Sequence, residues 1–384
     1  MEFETPLKNQ KTFFQNQFYE NEVKRKMNYN EIRRKTRKVK LGSIYIGGDS
    51  PVSIQSMTNT DTHDFEATYR QASELQEAGC DILRITTPDE ESAEIFSYLK
   101  SRGIKIPLVA DVHFNHKIAI SAIKNGADKV RINPGNIGSD ENVAAVVAAA
   151  KEYGTPIRIG VNAGSLSKEI LEKYGAPTPE ALVESALSHV EILERHGFFD
   201  TVISIKASTV SDMIAANKIL SAKVDYPLHL GVTEAGFGIS AATKSAVGIS
   251  ALLAQGIGDT VRVSLTDEPT REVTLARHIL SALGMAERGG MDIISCPTCG
   301  RTKIDLIALT RDFEEKIKAK GLENKPLKVA LMGCAVNGPG EAREADIGIA
   351  GGVGEGLLFK NGEIIRKIPE DRLVDELIAE IAKM

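Results

Sequence analysis

The sequence predicts an α/β protein, a TIM (β/α)8 barrel followed by a small α+β domain. Two observations carry this prediction. Short apolar, β-rich runs alternate eight times with segments of helical periodicity, the pattern of repeated βα units on a parallel sheet. After Glu287-Arg288-Gly289-Gly290, which reads as a hinge, that alternation stops and the chain changes character. The length agrees, since 384 residues divide more naturally into one large and one smaller domain than into a single body.

The eight strands are expected at Pro51 to Met57, Asp81 to Thr87, Pro107 to His113, Lys129 to Pro134, Pro156 to Asn162, Thr201 to Ser208, Pro227 to Glu234 and Thr260 to Leu265. Helical patterns between them include 65–78, 90–101, 140–153, 179–195, 210–221 and 241–254, several ended by a glycine such as Gly79, Gly103, Gly154 or Gly197. Beyond the hinge come Cys-x-x-Cys, a helix over 306–320, strands at 327–332 and 347–350, a hairpin at Lys360-Asn361-Gly362-Glu363, and an amphipathic helix over 371–383. The domains are therefore expected at 31–286 and 287–384, preceded by a polar extension over residues 1–30, within which Met27 offers a second start.

Side chains two apart on a strand share a face, so polar pairs near the strand ends can be placed together. Arg84 with Thr86, Asp111 with His113, Arg131 with Asn133, Arg158 with Asn162 across Gly160, Lys206 with Ser208, and Arg262 with Ser264 all follow this spacing. Barrel interiors are normally filled by Val, Ile and Leu, because an unpaired buried cation costs several kcal/mol. Five cations on five strands face only Asp111 and Glu234 as inward acids, which calls for an anionic ligand such as a diphosphate. Asn133-Pro134-Gly135-Asn136, Asn162-Ala163-Gly164-Ser165 and Gly236-Phe237-Gly238 each follow a strand and offer backbone N–H groups to an anion. Lys206 also allows a Schiff-base reading, and Gly236 to Ala241 matches a dinucleotide loop only loosely, after the wrong strand.

Four cysteines are too few for a disulfide framework, and three of them, Cys296, Cys299 and Cys334, sit in one C-terminal stretch. Cys296-Pro297-Thr298-Cys299 alone suits a zinc knuckle, but zinc wants four ligands and no second Cys-x-x-Cys or later histidine follows. A [4Fe–4S] cluster tolerates three thiolates, with one iron left to a weaker oxygen donor such as Glu341, which the Gly338-Pro339-Gly340 turn can bring back. Cys80, at a helix end before the second strand, reads as a buried small residue.

These residues resemble the 4-hydroxy-3-methylbut-2-enyl diphosphate synthase family of the non-mevalonate isoprenoid pathway, in its bacterial two-domain form. The resemblance runs from about residue 31 to the C-terminus. It is carried by Ser56-Met57-Thr58-Asn59-Thr60, Val109-Ala110-Asp111-Val112-His113-Phe114, Arg131-Ile132-Asn133-Pro134-Gly135-Asn136-Ile137-Gly138, Arg158-Ile159-Gly160-Val161-Asn162-Ala163-Gly164-Ser165, Leu228-His229-Leu230-Gly231-Val232-Thr233-Glu234-Ala235-Gly236, Cys296-Pro297-Thr298-Cys299 and Cys334-Ala335-Val336-Asn337-Gly338-Pro339-Gly340-Glu341. No further domain of the plant type is inserted. The resemblance implies reductive dehydration and ring opening of 2-C-methyl-D-erythritol 2,4-cyclodiphosphate, with two external electrons passing through a [4Fe–4S] cluster. It implies cluster ligands at Cys296, Cys299, Cys334 and Glu341. Substrate would be held by Arg84, Arg131, Arg158, Lys206 and Arg262 with His113, Asn162 and Ser264, while Asn337 approaches from the cluster domain and Glu234 serves as acid or base. It also implies reduced flavodoxin or ferredoxin as donor and a homodimer with a site shared between subunits.

Composition bears on the alternatives. The chain carries a net charge of −5, with residues 1–40 at +6 and the remainder at −11, so it is not globally basic. Arg33-Arg34-Lys35-Thr36-Arg37-Lys38 is expected to be a solvated leader rather than a nucleic-acid arm, a view that 5% aromatic residues and no Trp support. No run of about 18 apolar residues and no apolar N-terminal segment occurs, so a soluble cytoplasmic protein without membrane contact is expected. The rival enzyme is a zinc-containing barrel lyase or aldolase acting on a phosphorylated sugar.

Overall fold

The computed structural model describes residues 29–207, 209–286, 290–334 and 342–384, in two compact units that divide between Ala286 and Glu287. The first unit opens with a short hairpin, β1 (Val39–Leu41) and β2 (Ile44–Ile46), paired antiparallel. Eight parallel strands follow: β3 (Ser53–Met57), β4 (Ile82–Thr86), β5 (Leu108–Asp111), β6 (Lys129–Ile132), β7 (Ile157–Asn162), β8 (Thr201–Lys206), β9 (His229–Leu230) and β10 (Thr260–Val261). They pair in the order β8-β7-β6-β5-β4-β3-β10-β9, and a parallel bridge between Ile203 and Leu228 joins the two ends of that order into a barrel.

Period-two alternation sorts the strand residues. Leu83, Ile85, Ala110, Val130, Ile132, Ile157, Ile159, Val161, Ile203 and Ile205 join the main apolar cluster with the surrounding helices. Ile82, Val109 and Val202 face the other way and pack on Val39, Leu41 and Ile46 of the hairpin. The helices begin where short polar side chains cap them: Asp64 accepts from Ala67 N at 2.9 Å, and Thr178, followed by Pro179, accepts from Ala181 N at 3.2 Å. The four glycines expected to end helices all adopt positive φ.

Boundaries shift where other forces intervene. The seventh and eighth predicted strands contract to two residues each, and helices at His116–Lys124 and Pro269–Ala282 complete their βα units. The arginines of the basic leader are engaged by the barrel, while Lys35 and Lys38 stay exposed as expected. Arg33 Nη2 pairs with Asp259 at 2.8 Å, Arg34 donates to the carbonyls of Val224 and Tyr226, and Arg37 pairs with Asp225 at 2.8 Å while lying over the Tyr226 ring. These arginines tie the leader to the segments preceding β9 and β10, where Asp225 and Asp259 offer carboxylates to Arg37 and Arg33 and two backbone carbonyls accept from Arg34. Residues 1–28, Ser208 and the hinge residues 287–289 lie outside the described residues.

The second unit is a five-stranded sheet in the order β11 (Asp292–Ser295), β12 (Lys328–Met332), β13 (Ile347–Gly351), β14 (Glu355–Lys360), β15 (Glu363–Pro369), parallel across its first three strands. The expected hairpin turns at Asn361 and Gly362, both at positive φ, as a two-residue turn requires. Val329, Leu331, Ile347 and Ile349 pack with Phe313 and Ile317 of helix Leu306–Ala319 and with Leu377 and Ile381 of helix Leu373–Lys383. On the opposite face Ala330, Met332, Ala350 and Phe359 form a smaller cluster. No helix among the described residues is long and apolar enough to cross a membrane.

Candidate functional site

The barrel interior is polar where barrels are usually apolar. Arg84 on β4, Asp111 on β5, Arg131 on β6 and Arg158 on β7 are all buried, the last at 1% exposure. Arg131 is in register with Asp111 on one side and Arg158 on the other, so the chain must find charge compensation among neighbours. It does so first through Asp111. That carboxylate accepts from Arg84 Nη2 at 2.6 Å, meets Arg131 Nη1 at 3.4 Å and lies 3.8 Å from His113 Nε2. Burial by itself would raise the Asp111 carboxyl, but Arg84, Arg131 and His113 outweigh it and hold the group well below the usual carboxylate range.

Arg262, just past β10, reaches Glu272 at 3.5 Å. Glu272 comes from helix Pro269–Ala282 and also accepts from Ser56 Oγ at 2.8 Å and Leu265 N at 3.1 Å. The expectation that Asp111 and Glu234 are the inward acids is thereby corrected. Glu234 is exposed on the loop after β9 with φ 54, a left-handed conformation that ends any strand and that non-glycine residues adopt at a cost. Three of the five predicted cations thus have a carboxylate, whereas Arg158 and Lys206 have none within ion-pair distance among the described residues. Nε and Nη1 of Arg158 are buried without a hydrogen-bond partner there. Burial, then Arg262, Arg84, Arg158 and Arg131, press the Lys206 ammonium well below the ordinary lysine value, although part of its surface remains accessible. His113 is half-exposed, and burial lowers it against the pull of Asp111.

The remaining predicted residues gather at the same C-terminal end of the strands. Asn162 ends β7 and caps the short turn 163–165, its N–H donating to Ser165 Oγ at 3.1 Å, and Ser264 follows Arg262 two residues on. Gly160 lets Arg131 lie flat across β7. A Cβ there would stand 2.3 Å from Arg131 Nε, and Arg131 Nη2 donates to the Gly160 carbonyl at 3.3 Å. Gly160→Ala is expected to displace this guanidinium and weaken binding of inorganic pyrophosphate roughly ten- to a hundredfold, the loss of one charge-assisted hydrogen bond. Calorimetric titration checks this, and unchanged affinity would mean that Arg131 is not needed in this position.

Among the polar residues of the barrel unit that the strand spacing did not single out are Lys129, Glu272 and His189. Lys129, two before Arg131 on the same face, is fully buried, and the two-residue period could have identified it. Glu272 carried no such signal, since it lies on a helix. His189, on helix Pro179–Arg195, lies under Gly135, where a Cβ would come 2.6 Å from its Nε2, and burial lowers its pKa to about 4.

In the second unit strand pairing sets Cys296 and Cys334 at neighbouring strand ends. Ser295 on β11 is in register with Leu331 on β12, so Cys296 and Cys334 leave the ends of adjacent parallel strands. Cys296 Sγ accepts from Gly333 N at 3.2 Å, Cys299 N donates to Thr302 Oγ1 at 3.2 Å, and Lys303 N donates to Gly333 O at 3.0 Å, which knits the two loops. All three thiols are free. Among the described residues no three His, Cys, Asp or Glu side chains already converge as a metal site. Asn337 and Glu341, the remaining predicted residues, lie outside the described residues. The donor chemistry, soft thiolates at one sheet edge with a backbone N–H on sulfur, suits an iron–sulfur cluster. Cys80 is buried as expected, and burial pushes its thiol up to about 12.

Comparison with known proteins covers both units. The GcpE TIM-barrel domain matches residues 36–277 and the GcpE protein C-terminal domain matches residues 292–383. The chain is 58% identical over 354 residues to 4-hydroxy-3-methylbut-2-en-1-yl diphosphate synthase (flavodoxin) of Caldanaerobacter subterraneus, covering 92% of this chain and 98% of that protein. It is 59% identical over 346 residues to the protein of the same name from Clostridium perfringens, covering 90% and 98% respectively.

Proposed function

This chain belongs to the GcpE family across both of its units, and from that premise we propose that it is an oxidoreductase making 4-hydroxy-3-methylbut-2-enyl diphosphate from 2-C-methyl-D-erythritol 2,4-cyclodiphosphate. The observation that carries the reading is the barrel's uncompensated positive charge. Among the described residues Arg158 and Lys206 have no carboxylate of their own, and a cyclic diphosphate would supply the negative charge that they and their neighbours need.

In this proposal Arg84, Arg131, Arg158, Lys206 and Arg262 hold the phosphate oxygens, with His113, Asn162 and Ser264 contributing donors around them. Asp111 holds Arg84 and Arg131 in position by its ion pairs with both. Glu234, exposed and held in a strained backbone conformation, is the residue that moves a proton at the reacting end of the substrate. Cys296, Cys299 and Cys334, with Glu341, would hold a [4Fe–4S] cluster, which supplies electron transfer and Lewis acidity when bound. Asn337 assists from the same unit.

The name of the relatives supports reduced flavodoxin as the electron donor, with ferredoxin as the alternative. A homodimer with a shared site is supported by large exposed apolar side chains where the chain leaves barrel strands: Phe114 after β5 at 75% exposure, and Phe237 with Ile239 at the start of helix Gly238–Leu253 at 77% and 87%.

The test is turnover of the cyclic diphosphate by anaerobically purified protein with reduced flavodoxin. Glu234→Gln is expected to lower kcat by about 10²- to 10⁴-fold while leaving pyrophosphate affinity unchanged. Absence of turnover in a protein that contains iron and sulfide would overturn the reading, and borohydride trapping through Lys206 would favour the aldolase instead.

A further inference from the structure

Below the cations assigned to the diphosphate lies a second tier of polar side chains that the reaction does not use. Ser53 and Gln55 on β3, Lys129 on β6, His229 on β9 and Thr260 on β10 are each 5% exposed or less. Thr260 is in register with Ser53 on one side and His229 on the other. Lys129 stands two residues before Arg131 and Thr260 two before Arg262, so this tier faces the same interior one step nearer the N-terminal end of the strands. Ser53 Oγ, both amide atoms of Gln55, Lys129 Nζ, both ring nitrogens of His229 and Thr260 Oγ1 are buried without a hydrogen-bond partner among the described residues.

The charged and titratable groups around this tier come from every part of the barrel. They are Arg84 on β4, Asp111 on β5, Arg131 on β6, Arg158 on β7, Lys206 on β8, His229 on β9, Arg262 after β10, and Glu272 on its helix. Together with Lys129, six lysines and arginines share two carboxylates among the described residues. An ammonium buried without partner in that company is costly, and the cheapest relief is to give up its proton.

We infer that Lys129 stands neutral in the empty barrel and takes up a proton when a diphosphate settles on the cations above it, so that anion binding and proton uptake occur together. The proton comes from solvent onto the Nζ lone pair, and the arriving anion balances the new positive charge. Burial, then Arg158 and Arg84, press Lys129 well below the ordinary lysine value, and an anion on those two arginines removes part of that pressure. The sign is fixed by linkage. The bound state holds more protons than the free state, so affinity falls as pH rises through the range in which Lys129 is charged only with ligand present. The inference rests on the reading that these cations hold a diphosphate.

The experiment is calorimetric titration of the anaerobically purified full-length protein with inorganic pyrophosphate and with the cyclic diphosphate, in buffers of equal pH and different heats of ionisation. The wild type should take up about one proton more than Lys129→Met. Lys129→Arg, which keeps its charge, should likewise lose the extra proton. Ligand-free Lys129→Met should melt above the wild type at neutral pH, with the gain shrinking as pH rises, because an uncompensated buried amine has been removed. Uptake in the wild type no greater than in the Lys129→Met and Lys129→Arg variants overturns the proposal, as does a lower melting temperature for Lys129→Met, since the difference cancels protons exchanged by the ligand itself or by Lys206. Binding of pyrophosphate with Lys129-dependent uptake, but no binding of the cyclic diphosphate, supports the coupling and overturns the functional reading. Binding of neither ligand overturns both.

Discussion

Cys296→Ser protein is expected to fold, to be isolated without bound iron and sulfide, and to show no turnover. The Cys296 side chain packs against both apolar clusters of the second unit, and its sulfur accepts the Gly333 N–H. A serine oxygen preserves the size and the hydrogen bond, so the sheet should survive, but it is a poor substitute for thiolate toward iron. Iron and sulfide analysis, visible absorbance and far-UV circular dichroism on the same preparation separate loss of the cluster from loss of the fold. Cys80→Ala is the control. Its thiol is buried, donates to the Ile82 carbonyl at 3.0 Å and is pushed up to about 12, so it carries no thiolate, and this variant should retain full iron content. A Cys296→Ser protein with normal iron would remove that residue from the proposed ligand set.

Asp111→Asn is expected to lower stability at pH 7 by about 3–5 kcal/mol, the usual effect of removing one partner from a buried ion pair. One carboxylate faces both Arg84 and Arg131, and the change leaves both guanidiniums without it. The pH dependence has a definite sign. Because the folded-state carboxyl lies below its unfolded value, its contribution is fully present above the ordinary aspartate range and is lost as pH falls through the folded value. The wild type should therefore approach the variant in stability on acidification, not on raising the pH. Pyrophosphate should restore more stability to the variant than to the wild type, since it supplies the missing negative charge. Denaturant unfolding at several pH values, with and without pyrophosphate, decides the matter, and a variant as stable as the wild type would show that Asp111 is not the counter-ion.

Much of the barrel was legible because strand and helix periods differ. The two-residue alternation placed Arg84, Asp111, Arg131, Arg158 and Asn162 on one face, and all lie on one series of neighbouring strands. The second unit was read less completely. Its first strand, Asp292–Ser295, carries no such signal because three half-buried residues and an exposed Ser295 at a sheet edge show little alternation, yet this strand brings Cys296 beside the end of β12. Spacing did reveal Cys-x-x-Cys, since those two residues are close in sequence as well as in space.

The sequence by itself determined the eight-fold alternation, the inward cations, the scarcity of matching acids on the strands and the three clustered thiols. Each depends on a local period or a short spacing. Only the tertiary structure decided which charges are compensated. Glu272 reaches Arg262 from a helix, Asp259 takes Arg33 from 226 residues away, Glu234 turns outward on a left-handed backbone, and Arg158 is left without a carboxylate partner among the described residues. A period says which face a side chain takes, whereas its partner depends on barrel closure, which sets distances between residues that the chain itself holds far apart.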